Sequence, residues 1–212
     1  MARIVITSGP TRQYLDPVRY LTNASSGRMG TALAQAALDL GHDVIVISGP
    51  VSIRYPSAAQ VVDVVTTHEM LDATKLAFEN SDGLVGAAAP CDYMPKQVET
   101  HKLSKTGDVL HLALIETPDI IATLGAAKRR DQWVVGFALE TEDIRFRAIV
   151  KMSRKCCDMI VSNSASAMNS DDNSVEVILR DGTILEQITG PKPVVASGIL
   201  SHIQKQLIER AQ

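Results

Sequence analysis

RIVITSGPTRQYLDPVRYLTNASSGRMGTALAQAALDLGHDVIVIS, residues 3–48, is the stretch that decides the fold. It opens and closes with short, nearly continuous apolar runs, RIVITS (3–8) and DVIVIS (43–48), the pattern of strands covered on both faces. Between them the alanine- and leucine-rich residues 26–40 predict a helix that closes on Gly41. The alternation continues downstream. VVDVV (61–65), GLVGAAA (83–89), WVVGFA (133–138) and DMIVSN (158–163) read as further buried strands. Helices are expected over 66–80, opened by the capping box Thr66-x-x-Glu69, over 118–128 with Thr117 as cap and Pro118 in its first turn, and over 144–156. Alternating strands and helices predict an α/β fold, a Rossmann-like, doubly wound and mostly parallel sheet.

Two segments break the alternation. Residues 173–189 alternate apolar and polar side chains around Asp181-Gly182 and predict an added antiparallel β-hairpin, with the polar run SNSASAMNSDDN (162–173) as a mobile loop ahead of it. Residues 90–108 form a polar, proline-bearing excursion after the fourth strand. A last helix over 192–210 places Val195, Ile199, Ile203 and Leu207 on one face for docking. One domain spanning 1–212 is expected from the length and the evenly spread hydrophobic content of 45%.

With a net charge of −3 the chain lacks the broad basic field of a non-specific nucleic-acid binder. A strand begins at residue 3 with no leader pattern before it, and no apolar run approaches a membrane span, so the expected location is cytoplasmic. The cysteines, Cys91 alone and Cys156 beside Cys157, suit a reducing compartment, and the five histidines show no zinc-ligand spacing.

In open α/β sheets, ligands bind beyond the carboxyl ends of the strands. TSGPT (7–11), AAAPCDY (87–93) and GFALET (136–141) fall there. Ser25, Ser26 and Gly27 at the expected helix start offer free backbone N–H groups at the positive end of a dipole, a phosphate site, or else an ordinary cap. Lys102, Lys105, Lys151 and Lys155 could neutralise a triphosphate, the last two sharing a helix face at i, i+4. Asp92 could hold a metal, act as a base or close an Asx turn, and Phe137 could stack on a base or fill the core. Asn23 has no titratable group, so any chemical part it plays is that of an amide donor to developing negative charge.

The blocks ITSGPTRQYLDPVRYLTNASSGRMG (6–30), AAAPCDYMPKQVETHKLSK (87–105), TPDI (117–120), VVGFALET (134–141) and KMSRKCCDMIVSN (151–163) together resemble phosphopantothenoylcysteine synthetase, the ligase step of coenzyme A biosynthesis. The resemblance covers essentially the whole chain in family order. It implies joining of 4'-phosphopantothenate to L-cysteine through an acyl nucleotidylate, using CTP or ATP with Mg²⁺. It also implies catalytic roles for Asn23, Arg19 and Lys102 and a nucleotide pocket of Gly86, Ala87, Ala88, Asp92, Lys102, Pro118, Asp119, Ile120, Ile121, Phe137, Lys151 and Lys155. A homodimer is implied, for which the 173–189 hairpin is the expected arm, with a separate decarboxylase supplying the neighbouring pathway step. Nucleic acid and membranes are not expected partners, and no protein metal ligand is assigned. Pro90-Cys91, Ser104, Leu139 and Met168 depart from the family pattern and bear on the shape of the base pocket.

An NAD(P)-dependent reductase is the alternative enzyme, but SGPTRQ after the first strand is not GxGxxG, and Tyr93-Met94-Pro95-Lys96 is one residue short of a Tyr-x-x-x-Lys pair. A non-catalytic nucleotide-binding module is the remaining class.

Overall fold

The structure is a computed structural model and describes residues 1–140, 143–164 and 172–209. Its centre is an eight-stranded sheet built from β1 (Arg3–Ser8), β4 (Asp43–Ser48), β5 (Gln60–Asp63), β6 (Gly83–Gly86), β9 (Trp133–Glu140), β10 (Met159–Ser164), β11 (Asp172–Leu179) and β12 (Ile184–Pro191). The strand order is β12-β11-β10-β9-β6-β1-β4-β5. From β5 to β10 all neighbours are parallel, and β11 and β12 are added antiparallel. The expected doubly wound α/β sheet with an extra hairpin is what forms.

The continuous apolar runs are explained by two covered faces. Ile4 and Ile6 of β1 point to one cluster with Leu33 and Ala37 of α1 (Arg28–Asp39) and Ile199 and Leu200 of α5 (Lys192–Ile203). Val5 points to the other, with Met70 of α2 (Thr67–Glu79), Leu124 of α3 (Ile120–Ala127) and Met152 of α4 (Ile144–Arg154). Each such buried aliphatic side chain contributes roughly 1.5–3 kcal/mol relative to exposure. The hairpin belongs to this core, because Val175, Val177, Ile178 and Ile188 are buried in the same two clusters.

The chain runs from β1 to β4 and β5 on one side, then returns across the sheet through α2 to β6 on the other. The order therefore reverses at β1, and the carboxyl ends of β1 and β6 flank the crevice where ligands of such sheets bind.

Several local expectations are corrected. The segment between β1 and α1, for which no element was expected, forms a hairpin, β2 (Arg12–Asp16) and β3 (Arg19–Thr22), and the excursion after β6 contains β7 (Tyr93–Pro95) paired with β8 (Leu114–Glu116). Neither hairpin has an apolar alternation strong enough to announce it. Tertiary bonds hold the first one: Arg12 N–H donates to Val65 O (2.8 Å), Glu99 N–H to Leu15 O (2.9 Å) and Gln13 Nε2 to Thr67 Oγ1 (2.8 Å). Helix α3 is capped by Asp119, whose carboxylate accepts from Ala122 N–H (3.0 Å), while Thr117, the expected cap, instead donates its hydroxyl to Cys91 O (2.6 Å). Capping of α2 by the Thr66/Glu69 box is as expected. The last helix is regular only to Ile203 and ends in a π-helical turn, Gln204–Ile208. The core of the polar stretch read as a mobile loop, 165–171, lies outside the described residues, as do Met168 and the side chain of Leu139.

Candidate active site

Two clefts open at the carboxyl edge of the sheet. The larger, about 460 Å³, is lined by Gly86, Ala88, Pro90, Cys91, Asp92, Tyr93, Glu116, Thr117, Pro118, Asp119, Ile120, Ile121, Phe137, Arg154 and Lys155. The second, about 370 Å³, is lined by Pro10, Arg12, Tyr20, Thr22, Asn23, Ala24, Ser25, Ser26 and Pro50.

The larger cleft gathers most of the nucleotide residues expected from the sequence. Strand β6 stops at Gly86, and a Cβ there would lie 2.4 Å from Ile121 Cδ1, so only glycine lets α3 close against the strand end. The positive end of α3 thereby faces the cleft. Asp119 has two tasks: one oxygen caps α3, and the other pairs with Lys155 Nζ at 3.1 Å. Lys155 ends α4 as its C-cap, and a Cβ on Gly125 would meet the Lys155 carbonyl at 2.1 Å, so α3 and this turn are in close contact.

Three expected nucleotide residues stand apart from this lining. Ala87 is packed against the first core cluster. Lys102 is exposed on the irregular segment after β7. Lys151 lines a different surface cleft with Phe146, Arg147, Val150 and Arg154. Lys155, the C-cap of α4, still donates its N–H to Lys151 O (2.9 Å), yet the two side chains line different clefts, and the chain leaves the helix at Cys156 (φ 53°).

Asn23 stands between the two clefts. Its Nδ2 donates to Pro90 O (2.9 Å) and Ala89 O (3.3 Å), tying the turn before α1 to the turn after β6. Both amide hydrogens are engaged in this arrangement, so donation to another group requires one of these bonds to open. Ser25 and Ser26 do not cap α1: the cap position is Gly27 in the left-handed region (φ 74°), with no side-chain cap bond. The first-turn N–H groups are thus left without a side-chain cap, and Ser25 and Ser26 line the second cleft.

A buried carboxylate ties Arg19 to Leu103, the residue after Lys102. Asp16 accepts from Val18 N–H and Arg19 N–H (both 2.9 Å) and from Leu103 N–H (3.1 Å), and it pairs with Arg19 Nε (3.2 Å). The Arg19 guanidinium also donates to Leu103 O. Burial works to raise the Asp16 pKa, but the backbone donors and Arg19 outweigh it and hold the carboxyl below its usual range. The clamp fixes the chain at Leu103 and with it the neighbouring Lys102.

Some lining residues carried no signal in the sequence. Arg154 sits beside Lys155 in a basic helical turn, and Glu116 in a short strand, where nothing distinguishes them from surface charges. Asn163, the penultimate residue of β10, is outside this lining; among the described residues its buried Oδ1 has no hydrogen-bond partner. Cys91 lies in the cleft wall, but burial raises its thiol pKa, which leaves it a neutral wall group. Among the described residues no group of three or more His, Cys, Asp or Glu side chains could form a metal cage.

The model of the DNA/pantothenate metabolism flavoprotein C-terminal domain family (DFP) matches residues 1–207. The chain belongs to this family. The coenzyme A biosynthesis bifunctional protein CoaBC of Bacillus subtilis is 41% identical over 216 residues, covering 98% of this chain and 53% of that protein. CoaBC of Vibrio cholerae is 38% identical over 211 residues, covering 97% and 53%. The chain thus spans about half the length of these curated relatives. The crystal structure of the C-terminal domain of CoaBC superimposes with a TM-score of 0.83 at 37% identity, covering 97% of this chain and 96% of that one. A Cab2 mutant in complex with phosphopantothenate-cysteine shares the fold, with a TM-score of 0.80 at 15% identity and coverage of 99% and 89%. The family resemblance read from the sequence blocks is borne out. Among the described residues, no helix is long and apolar enough to cross a membrane.

Proposed function

We propose that this chain is a phosphopantothenate–cysteine ligase. The observation that carries the reading is the pair of clefts joined at Asn23, one built for a nucleotide and the other bordered by Ser25 and Ser26 at a helix start. The carboxylate of 4'-phosphopantothenate attacks the α-phosphorus of CTP or ATP, forming the acyl–phosphate bond and expelling pyrophosphate. The amine of cysteine then attacks the acyl carbon, loses a proton as the amide forms, and expels the nucleoside monophosphate.

In this reading the larger cleft holds the nucleotide, with Phe137 beside the base and Lys155 and the α3 terminus on the phosphates. Binding of a triphosphate draws Lys155 from Asp119 toward the stronger anion. Asn23 and the Asp16–Arg19–Leu103 clamp position the acyl intermediate and Lys102. Mg²⁺ fits the donor set: Asp92 and Glu116 line the cleft with no ion-pair partner among the described residues, and one or two carboxylates plus substrate phosphates are its usual ligands. When bound, the ion neutralises clustered phosphate charge.

We also propose a homodimer, as the family resemblance implies. Exposed apolar side chains gather on the 93–115 arm, at Val98, Val109, Leu110, Leu112 and Leu114, whereas the 173–189 hairpin is built into its own sheet. The arm is therefore the better surface for the second copy.

The test is pyrophosphate release with CTP and with ATP. Release that requires 4'-phosphopantothenate, with phosphopantothenoylcysteine formed once cysteine is added, supports the ligase. Release independent of 4'-phosphopantothenate rejects it, and nucleotide-dependent thermal stabilisation with no release under any condition assigns a non-catalytic nucleotide-binding module.

A further inference from the structure

A third cleft, about 570 Å³, lies away from the two described above, between α1, the start of α5 and the loop after β4. Three cations from three separate elements line it: Arg28 in the first turn of α1, Arg54 in the loop and Lys192 at the start of α5. None has an ion pair or side-chain hydrogen bond among the described residues, although the chain as a whole carries a net charge of −3. The one acidic side chain in the lining, Asp39, is engaged by Gln35 Nε2 at 2.8 Å.

The wall is preformed. Tyr55 stands between the cleft and the sheet, its hydroxyl within 2.9 Å of both Ser8 Oγ and Ser48 Oγ. The floor along α1 is small and apolar, at Ala32 and Ala36. Strand β12 runs parallel to β10, so the helices following β1 and β12 both start at the carboxyl edge of the sheet, and both place their positive ends on this side.

We infer that this cleft is a second anion site, for a phosphate monoester with an apolar body. The phosphate is held by Arg28, Arg54 and Lys192, and the body lies along Ala32, Ala36 and the Tyr55 ring. Three cations from separate elements lining one concave cleft of this volume, beside small apolar side chains, are features of a small-ligand site. The inference does not depend on the ligase reading, because none of these side chains lines the other two clefts.

The experiment uses the full chain, ¹⁵N-labelled, titrated at constant ionic strength with phenyl phosphate and, separately, with inorganic phosphate. The expected result is a saturable shift of backbone amides in 28–36, 53–57 and 192–197. Phenyl phosphate should bind more tightly than inorganic phosphate, and Arg54→Gln/Lys192→Gln should weaken it about tenfold or more. Arg54 is exposed and Lys192 half-buried, and neither has an ion pair or side-chain hydrogen bond among the described residues, so the double variant should keep the wild-type melting temperature, which separates lost binding from lost folding. Non-saturating shifts, unchanged affinity in the double variant, or no preference for the phenyl ester would overturn the assignment.

Discussion

Gly30 is the third residue of α1, and a Cβ built there would stand 2.1 Å from Ser8 Oγ and 2.5 Å from Ser8 Cβ. The hydroxyl can rotate, but the Cβ is fixed to the β1 backbone. Restoring ordinary contact of about 3.5 Å requires helix and strand to part by about 1 Å. Ser8 is a junction: its Oγ donates to Gly27 O (3.2 Å) and accepts from Tyr55 Oη (2.9 Å). Gly30→Ala therefore strains both the seat of α1 and the start of the helix at Gly27. Overpacking costs about 1–3 kcal/mol, and with a contact of 2.5 Å to the fixed Ser8 Cβ the cost here falls in the upper part of that range, about 2–3 kcal/mol. Alanine returns about 0.8–1.0 kcal/mol of helix propensity. A net loss of about 1–2 kcal/mol remains, which for a chain of this size lowers Tm by roughly 2–8 °C. Thermal unfolding followed by circular dichroism reads this directly. Under the ligase reading, the apparent KM for a phosphate-bearing substrate should rise as well, because Ser25–Gly27 moves with the helix. A Gly30→Ala protein that melts at or above the wild-type temperature would refute the packing argument.

Asn23→Asp places a carboxylate oxygen against the Pro90 and Ala89 carbonyls, where an amide now donates at 2.9 and 3.3 Å, so turnover should fall further than in Asn23→Ala; wild-type turnover in either variant would remove Asn23 from the site. Lys155→Gln should raise the nucleotide KM at least tenfold with a smaller change in kcat, measured by steady-state pyrophosphate release, whereas Lys151→Gln, outside the cleft, should change it less than threefold. His42 is buried, and desolvation lowers its pKa below 6.5, so the unfolded chain binds the proton first and stability falls as pH drops below that value. Tm should accordingly decrease from pH 7 to pH 5.5 in the wild type and less steeply in His42→Asn; parallel profiles would exclude this histidine as the cause.

The sheet was legible because strands covered on both faces must be apolar throughout, as RIVITS and DVIVIS are, and because Thr66 and Glu69 announce a helix start by chemistry that needs no tertiary partner. What escaped depends on partners distant in sequence. The β2–β3 hairpin has a proline between its strands and draws its order from Val65, Thr67 and Glu99. The cap of α3 passed from Thr117 to Asp119 because the Thr117 hydroxyl is taken by Cys91 O, from a loop 26 residues away. At the site, the segments at strand ends were legible from topology, whereas the α3 start was implied by the family resemblance alone. Helix periodicity alone did not separate Lys151, which lines a neighbouring cleft, from Lys155, and Arg154 and Glu116 gain their positions only from the fold.

The central claim is attack by a carboxylate on the α-phosphorus, and isotope transfer tests it most directly. With 4'-phosphopantothenate labelled with ¹⁸O in its carboxylate, plus cysteine and CTP or ATP, mass spectrometry should find one ¹⁸O in the nucleoside monophosphate and none in pyrophosphate. Label appearing in orthophosphate, with nucleoside diphosphate as the other product, would mean attack on the γ-phosphorus and would contradict the acyl nucleotidylate.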